Sequence, residues 1–383
     1  MRKQSYRSLL VIASISSLAF MLGACATSGA LHPPPSGGSV HGYTQGKLGD
    51  FANIYWFDTP SGPVWVDVPL TMSETKRLRG GMVRPYRVYV SAAQPERFAG
   101  LPVLRADEVP ALTTPNVAAE IRDHGDARLA PLHEAHPKEV ASHVDAPTAS
   151  VEERTHDMVG EVEVELLPLG PACSEASLAL FLPRSGDLIT GDVVFGGEHP
   201  DLTWGRSLVW QDRLTELKNL EPRHVYPGHG VVGGPELIDQ MLDYLKFFHD
   251  AIAEKVKTGA PPKLTAVEIK IIKQKMLARY PKLKRAERMD RAISAEYAVQ
   301  LAALPPPPPP PVFYGPPAPP APPPPSVHAA PPVHAAPPVH TAPPVHTAPP
   351  VHTAPPAAPT TDVKKDVKRP GAAPSAPNKS TKK

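Results

Sequence analysis

Four side chains with metal-binding or acid–base chemistry stand in short segments that glycine or proline interrupts. Asp192 follows the apolar run 188–191, and His229 lies in the segment Pro-Gly-His-Gly at 227–230. Cys173 lies two residues after Pro171, and Glu96 directly follows Pro95. Carboxylate, thiolate and imidazole groups are all ligands that Zn²⁺ accepts in proteins. The alternative is structural: the carboxylate and imidazole hydrogen-bond neighbouring loops, and the cysteine packs as a small apolar group.

Strands and helices that could position these residues follow from hydrophobic periodicity. Alternating or apolar runs predict strands, and apolar residues on one face at helical spacing predict helices, with a capping box opening a short helix at residue 71. Together they indicate a layered α/β domain with mixed sheets, and a charged helical region at 266–301 is expected on its outside. The predicted strands are 53–57, 64–68, 87–91, 103–106, 161–166, 177–182 and 187–190, and the predicted helices are centred on 117–122, 210–217 and 237–252.

Composition divides the 383 residues unevenly. More than half of the 53 prolines lie after Leu304, which leaves a central region of about 260 residues, enough for one large core. The formal net charge is only +2, with basic residues concentrated beyond Thr361, so no nucleic-acid-binding face is indicated. Two cysteines exclude a disulfide framework. We predict a signal peptide at 1–24, a flexible tether at 25–47, a folded domain at 48–303 and a low-complexity tail at 304–383.

The start of the chain has the features of a processed export signal. Arg2, Lys3 and Arg7 precede an apolar run that ends in Leu-Gly-Ala-Cys at 22–25. This ending resembles the lipobox of bacterial lipoproteins, which implies that Cys25 becomes the acylated first residue of the mature chain. Several acyl chains anchor a protein to a lipid bilayer far more firmly than one does. By the same resemblance, Ala26 favours the outer membrane of the bacterial envelope, with the protein facing the periplasm.

The tail is built from prolines and regularly spaced histidines. Seven prolines at 305–311 precede a repeated hexad that places a histidine at every sixth position, from His328 to His352. Six residues are two turns of polyproline II, so every histidine falls on one edge of an extended, semi-rigid rod. The end is rich in lysine. One hypothesis is reach toward anionic cell-wall polymer, with weak metal binding by the histidine edge, and the other is a solvated disordered tail without a specific partner.

The order strand, Gly-Asp at 191–192, amphipathic helix and Pro-Gly-His-Gly resembles the metallo-β-lactamase-fold hydrolases. The resemblance covers about residues 48–259, including a hairpin that ends at Asp67, and it implies a four-layer αββα sandwich. In that family an aspartate at the position of Asp192 bridges two metal ions, and a histidine at the position of His229 completes the second site. The position of Cys173 is normally a histidine.

The main metal motif of that family, His-x-His-x-Asp-His, is degenerate in this chain. The matching segment has Ala92, Gln94, Glu96 and Arg97. Alanine offers no ligand, glutamine is a poor one, and arginine is a permanent cation, so a first metal held by three imidazoles is excluded. The resemblance leaves either no metal or one Zn²⁺ held by Asp192, His229, Cys173 and Glu96. It therefore leaves open both an enzyme and a protein without catalytic activity.

Three functions remain open. The first is a non-hydrolytic pseudoenzyme that binds a ligand or partner in the envelope, because without a metal there is no activated water at neutral pH. The second is a hydrolase with a reduced single-metal site that acts on an ester, thioester or amide. The third is a structural envelope spacer whose folded part only anchors the tail. Among other histidines, His199 stands where the family that the chain resembles often has substrate-contacting residues, and the cluster 133–143 is expected in a solvated loop.

Overall fold

A computed structural model describes residues 29–82 and 84–305. The predicted signal peptide, the lipidation residue Cys25 and tail residues 306–383 lie outside the described residues. A second unit, Pro311–Lys383, is likewise outside them. Within the described ranges no helix is both long and apolar enough to cross a lipid bilayer.

The first sheet has seven strands that pair in chain order. The first four pair antiparallel and the last three continue in parallel. Residues of β3 alternate between the two faces of the sheet, and both faces are buried. The strands are β1 (Ala30–His32), β2 (Val40–Thr44), β3 (Asn53–Phe57), β4 (Val64–Val66), β5 (Arg87–Tyr89), β6 (Ala111–Thr113) and β7 (Thr148–Ala149).

The second sheet has five strands in the order β12-β11-β10-β9-β8. Only the β11–β12 pair is parallel, and it places the segments that contain Asp192 and His229 side by side. The strands are β8 (Thr155–Val159), β9 (Val162–Leu169), β10 (Ser177–Leu182), β11 (Asp187–Gly196) and β12 (His224–Gly230).

Within residues 29–82 and 84–305, eight α-helices flank the two sheets. Thr71 caps the first helix by accepting a hydrogen bond from the Glu74 amide, as its sequence predicts. The helices are α1 (Met72–Gly80), α2 (Pro95–Phe98), α3 (Leu101–Arg105), α4 (Pro115–Ala135), α5 (Ser207–Lys218), α6 (Glu236–Ala253), α7 (Ala266–Arg279) and α8 (Met289–Ala302). Short 3-10 turns at Lys47–Gly49 and Ala286–Arg288 lie between elements.

Three apolar clusters fill the spaces between four layers. One packs α1, α3 and α4 against the first sheet, one lies between the two sheets, and one packs α5 to α8 against the second sheet. Because each cluster needs an apolar face on both sides, strands buried on both faces are the expected consequence. The predicted four-layer αββα fold is therefore confirmed. The outer helical region at 266–301 is also present, although Ile272, Met276 and Tyr297 bury its apolar stripe in the third cluster.

Two expectations about individual segments were wrong, and a third holds only in part. The strand predicted at 103–106 is helix α3, because Pro102 in its first turn favours a helix start and Leu101 and Leu104 then share one buried face. The flexible tether predicted at 25–47 instead contributes β1 and β2, and β2 pairs with β3 along its whole length. The histidine cluster expected in a loop is divided: His133 lies inside α4, which extends to Ala135, whereas His136 and His143 lie exposed in the loop that follows.

Candidate functional site

The side chains of the candidate site come from three elements that meet at one end of the sheets. Arg97 lies in the short helix α2, which begins at Pro95 directly after β5 and its following turn. Asp192 lies in β11, and His229 lies in the neighbouring strand β12. All three side chains are almost completely buried. The strand pairing and a proline-initiated helix therefore bring residues distant in sequence into contact.

Two glycines make the close approach of these elements sterically feasible. Gly191 has a φ of +53°, which favours glycine, and a Cβ there would lie 2.7 Å from the Ser91 hydroxyl oxygen. A Cβ on Gly228 would lie 2.3 Å from Asp192 Oδ1 and 2.7 Å from Arg97 Nη2. The Gly-Asp and Pro-Gly-His motifs therefore supply backbone space for the site as well as polar side chains.

The guanidinium of Arg97 is the centre of the site. Its Nε donates to Asp192 Oδ2 at 3.1 Å, and Nη2 donates to Asp192 Oδ1 and to the Gly228 carbonyl at 2.9 Å. Nη1 donates to the Asn53 carbonyl at 2.7 Å and approaches Asp67 Oδ2 at 3.5 Å. Five contacts match the five N–H groups that a guanidinium carries. The side chain is 0 % exposed, so its charge is balanced entirely by protein groups.

Asp67 lies beneath the guanidinium and is held by the turn after β5. It accepts hydrogen bonds from the Ser91 amide at 2.6 Å and the Ser91 hydroxyl at 2.7 Å. Its own backbone has a φ of +69°, in the left-handed region, and its amide donates to the Tyr89 carbonyl. Asp67 and Asp192 thus contact Arg97 from two sides, and the three side chains form a buried carboxylate–guanidinium–carboxylate cluster.

Burial and the guanidinium charge set the protonation of the site. Burial raises the pKa of Asp67 to about 6, although Arg97 opposes this shift. Burial also acts to raise the pKa of Asp192, but the adjacent Arg97 outweighs it and holds that pKa below its usual range. Burial lowers the pKa of His229 to about 4, so its imidazole is neutral at pH 7.

Glu96, Asp192 and His229 are the residues that the structure brings close enough to hold one cation. One ligand atom from each lies within 4.8 Å of the others, and His229 Nε2 is 3.4 Å from Asp192 Oδ1. Burial and the charge of Asp192 raise the pKa of Glu96 to about 7, which disfavours its ionised form. The Nδ1 atom of His229 is buried and has no hydrogen-bond partner among the described residues.

Cys173 and the degenerate positions lie beside this group. The thiol of Cys173 is not part of the three-residue set and lies 4.0 Å from the Gln94 amide nitrogen. Burial raises the pKa of this thiol well above its usual range, so it favours the protonated form, whereas a thiolate is needed for metal binding. Ala92 is completely buried and offers no donor.

These residues do not fit the family's two-cation centre. Ala92 and Gln94 cannot replace two imidazole ligands, and burial raises the pKa of the Cys173 thiol. Both carboxylate oxygens of Asp192 already accept hydrogen bonds from Arg97. The remaining group of Glu96, Asp192 and His229 has donor types that suit a single Zn²⁺, but a fixed cation lies against it.

On its other side, His229 stacks on Phe195. The ring centroids are 5.1 Å apart and the planes are inclined by only 2°. The guanidinium of Arg288 lies 5.7 Å from the Phe195 ring centroid and pairs with Asp50 at 2.6 Å. The C-terminal helical region thus supports the site through an arginine and an aromatic ring, a contact that no sequence pattern predicts.

The other histidines play separate roles. His199 is completely buried, and its Nδ1 lies 2.9 Å from the Tyr244 hydroxyl, away from the group of three. His133 in α4 contacts the Val140 carbonyl, His143 contacts Asp126, and His136 is exposed. These three histidines are not part of the candidate site.

Asn53 and the partners of Arg97 were missed by sequence reasoning. Asn53 Nδ2 donates to the carbonyls of Pro227 at 3.0 Å and Gly230 at 2.9 Å, so it holds the loop around His229. The only sequence signal was a permanent cation at a position where the family has a ligand. A buried arginine needs carboxylates or carbonyls as partners, but the residue type alone does not say which ones.

Comparison with known proteins gives a family match and three similar folds. Residues 103–229 match the metallo-beta-lactamase superfamily, a segment that starts after Arg97 and ends at His229. No curated protein matches the sequence. Similar solved structures are a metallo-beta-lactamase from Pontibacter korlensis (16 % identity, TM-score 0.45, 57 % of this chain and 99 % of that chain), TMB-1 (16 %, 0.47, 57 % and 97 %) and the DIM-1 metallo-beta-lactamase (15 %, 0.45, 57 % and 97 %).

The matched segment contains the Gly-Asp and Pro-Gly-His-Gly motifs whose side chains the fold brings together. The degenerate positions Ala92, Gln94 and Arg97 lie outside it. Residues 103–229 of the folded part therefore match the metallo-β-lactamase superfamily by sequence, and the four-layer architecture is the one that this match implies.

Proposed function

We propose that this protein is a non-hydrolytic member of the superfamily, a pseudoenzyme that binds a ligand or partner in the bacterial envelope. The observation that carries the proposal is the position of the Arg97 guanidinium, bound to both carboxylate oxygens of Asp192. In the family that the chain resembles, the aspartate at this position binds metal ions through those oxygens. A buried guanidinium that is bound to them supplies positive charge but no vacant orbital to polarise a carbonyl or activate water.

Energetics support a stable arginine cluster in place of a metal. A cation entering beside Asp192 would have to displace charge-assisted hydrogen bonds, which are among the stronger hydrogen bonds in proteins. It would also lie close to a guanidinium that is 0 % exposed and not screened by water. Both effects oppose metal binding at this site.

A hydrolase with a single metal is the second candidate, and the close approach of Glu96, Asp192 and His229 favours it. A carboxylate, a second carboxylate and an imidazole form an acceptable Zn²⁺ ligand set, with a position left for water. Such an enzyme would act on an ester, thioester or amide. It requires Arg97 to release at least one oxygen of Asp192.

Zinc stoichiometry in matched variants distinguishes the two candidates. The chain without its predicted signal peptide is loaded with zinc, desalted and analysed by mass spectrometry as the parent, as Asp192→Ala and as His229→Ala. His156→Ala, which replaces an exposed histidine, is the control. The tail histidines are common to all four proteins, so only differences report on the site.

We expect the same zinc content in all four proteins and no turnover of chromogenic ester, thioester or lactam substrates. Circular dichroism verifies that each variant is folded. A content lower by one equivalent in both site variants, together with activity in the parent that chelation removes, would favour the hydrolase instead.

Restoring the ligand motif tests the same proposal in the opposite direction. A variant with Ala92→His, Gln94→His, Glu96→Asp and Arg97→His replaces the guanidinium with donors of the family motif. We expect this variant to bind at least one more zinc ion than the parent, because the fixed cation is gone and imidazoles are present. An unchanged zinc content in a folded variant would show that something other than these four residues excludes the metal.

The predicted lipobox supports attachment to a membrane through acylated Cys25. We expect the full chain to sediment with the outer membrane of a Gram-negative host and Cys25→Ser to leave that fraction, because a chain without acyl groups loses its anchor. Ala26→Asp should move the protein to the inner membrane. Membrane recovery of Cys25→Ser equal to the parent would refute acylation as the anchor.

The proline- and histidine-rich tail supports a third candidate, an envelope spacer that reaches cell-wall polymer. Extended polyproline II spans about 3.1 Å per residue, and the lysine-rich end suits an anionic polymer. Deletion of residues 306–383 should abolish co-sedimentation with purified cell wall, whereas Arg97→Lys should not. Full co-sedimentation without the tail would remove the reason for this candidate.

A further inference from the structure

A cavity of about 740 Å³ lies between the strands β1 and β2 and the loop that follows β12. Its volume is within the range of small-molecule sites, roughly 300–1,000 Å³. Arg97, Asp192 and Glu96 do not line it, so it is distinct from the candidate site. Asn53 lies between the two, because it lines the cavity while its carbonyl accepts from Arg97.

Most of the exposed surface in the wall of this cavity is apolar. Val40, Tyr55 and Tyr226 are its deeply buried members, and Val231 is its most exposed apolar member at 76 %. The Tyr55 hydroxyl donates to the Pro227 carbonyl and the Tyr226 hydroxyl donates to Asp187, so the two phenols use their hydrogens elsewhere. What they present to the cavity is ring surface.

No lining residue has a buried polar side-chain atom without a hydrogen-bond partner among the described residues. Most of the exposed surface of the wall is apolar, so a ligand with polar groups along its body would lose hydrogen bonds with water and find few partners inside the cavity. The interior of the cavity fits a hydrocarbon better than a sugar, a nucleotide or a peptide.

The charged side chains that line the cavity differ in whether they have an ion-pair partner among the described residues. Glu198 lies 3.7 Å from Arg285 and 3.5 Å from Arg288, and His224 pairs with Asp187. Within residues 29–82 and 84–305, Lys284 is the lining cation for which no carboxylate lies within ion-pair distance, and its side chain is exposed. A ligand with one negative charge at its solvent end would be complementary to it.

We propose that this cavity binds a single-chain amphiphile, an unbranched alkyl chain that ends in a carboxylate. The chain packs against the valine and tyrosine wall, and the carboxylate lies near the Lys284 ammonium. Burial of each methylene is the main source of affinity, and the exposed charge contact adds a smaller contribution. This inference does not depend on the state of Arg97, so zinc measurements and ligand binding can succeed or fail separately.

Calorimetric titration with dodecanoate tests the proposal. The protein is the chain without its predicted signal peptide and with Cys25→Ser, so that it carries no acyl group of its own. Decanoate and 1-dodecanol are the comparison ligands. Lys284→Ala removes the cation, Lys282→Ala is the matched control in the same segment, and Val231→Glu places a carboxylate on the wall at an exposed, foldable position.

We expect dodecanoate to bind about tenfold more tightly than decanoate, since two further methylenes are buried. Lys284→Ala should weaken dodecanoate roughly two- to fivefold with no change for 1-dodecanol, and Lys282→Ala should bind as the parent does. Val231→Glu should weaken dodecanoate more than Lys284→Ala. Affinity that is independent of chain length, or equal binding by Val231→Glu and the parent, would overturn the proposal.

Discussion

Replacing Arg97 with alanine should strongly destabilise the folded domain. The side chain is completely buried, makes five polar contacts and balances the carboxylates of Asp67 and Asp192. Removing one partner of a buried ion pair leaves an uncompensated charge and costs about 3–5 kcal/mol. We therefore expect Arg97→Ala to lower the free energy of unfolding at pH 8 by about that amount.

The loss of folding stability caused by Arg97→Ala should be smaller at pH 5 than at pH 8. In the parent, Arg97 holds the pKa of Asp192 below its usual range, so that stabilisation is fully present above the unfolded pKa and is lost only in stronger acid. Without the guanidinium, both carboxyl groups have raised pKa values because burial is no longer opposed. The folded variant then takes up protons as pH falls, and it should regain about 1 kcal/mol or more between pH 8 and pH 5.

Urea unfolding followed by circular dichroism measures both effects. Arg97→Lys should fall between the parent and Arg97→Ala, because lysine keeps the charge but has fewer donors and no fork. Arg122→Ala, which removes an exposed arginine from a surface pair, should leave the unfolding midpoint unchanged. A loss below about 1 kcal/mol for Arg97→Ala, or the same loss at both pH values, would refute the account of this cluster.

Three further substitutions test other contacts by the same unfolding assay. Gly228→Ala should lower the free energy of unfolding by about 1–3 kcal/mol, because its Cβ would lie too close to Asp192 Oδ1. An unchanged unfolding midpoint would show that β11 and β12 can move apart without loss of stability. Glu296→Ala should cost about 1–3 kcal/mol, since the amide and hydroxyl of Ser207 at the start of α5 lose their acceptor; a neutral result would mean that water replaces it. Thr114→Ala should cost about 0.5–2 kcal/mol by removing the cap of α4, and a stabilised variant would contradict this role.

Strands of the core could be predicted from local pattern. Residues 53–57 and 177–182 are strands over the predicted ranges, because a run of apolar residues between turn signals has few other stable conformations. The segment 103–106 was misassigned because Leu101 and Leu104 are also compatible with a short apolar strand. A sequence of that length fits either a helix or a strand. The packing partners that decide between the two are distant in the chain.

The tether was misassigned for a similar reason. Residues 40–44 have only a short apolar pattern, Val-His-Gly-Tyr-Thr, which resembles a polar linker by composition. In the structure they pair with β3 through five residues and cover the inner cluster with Val40. Backbone pairing with a distant partner, and not side-chain periodicity, makes this segment a strand.

The sequence by itself determined which ligands are missing, because residue type decides whether an atom can donate electrons to a metal. Ala92 and Arg97 exclude a three-imidazole site at this motif, whatever the fold around it. Only the tertiary structure decided what replaces it, since Arg97 is separated by 30 residues from Asp67 and by 95 from Asp192. A buried guanidinium must find carboxylates and carbonyls within hydrogen-bond distance, and which ones it finds depends on how the strands and helices pack.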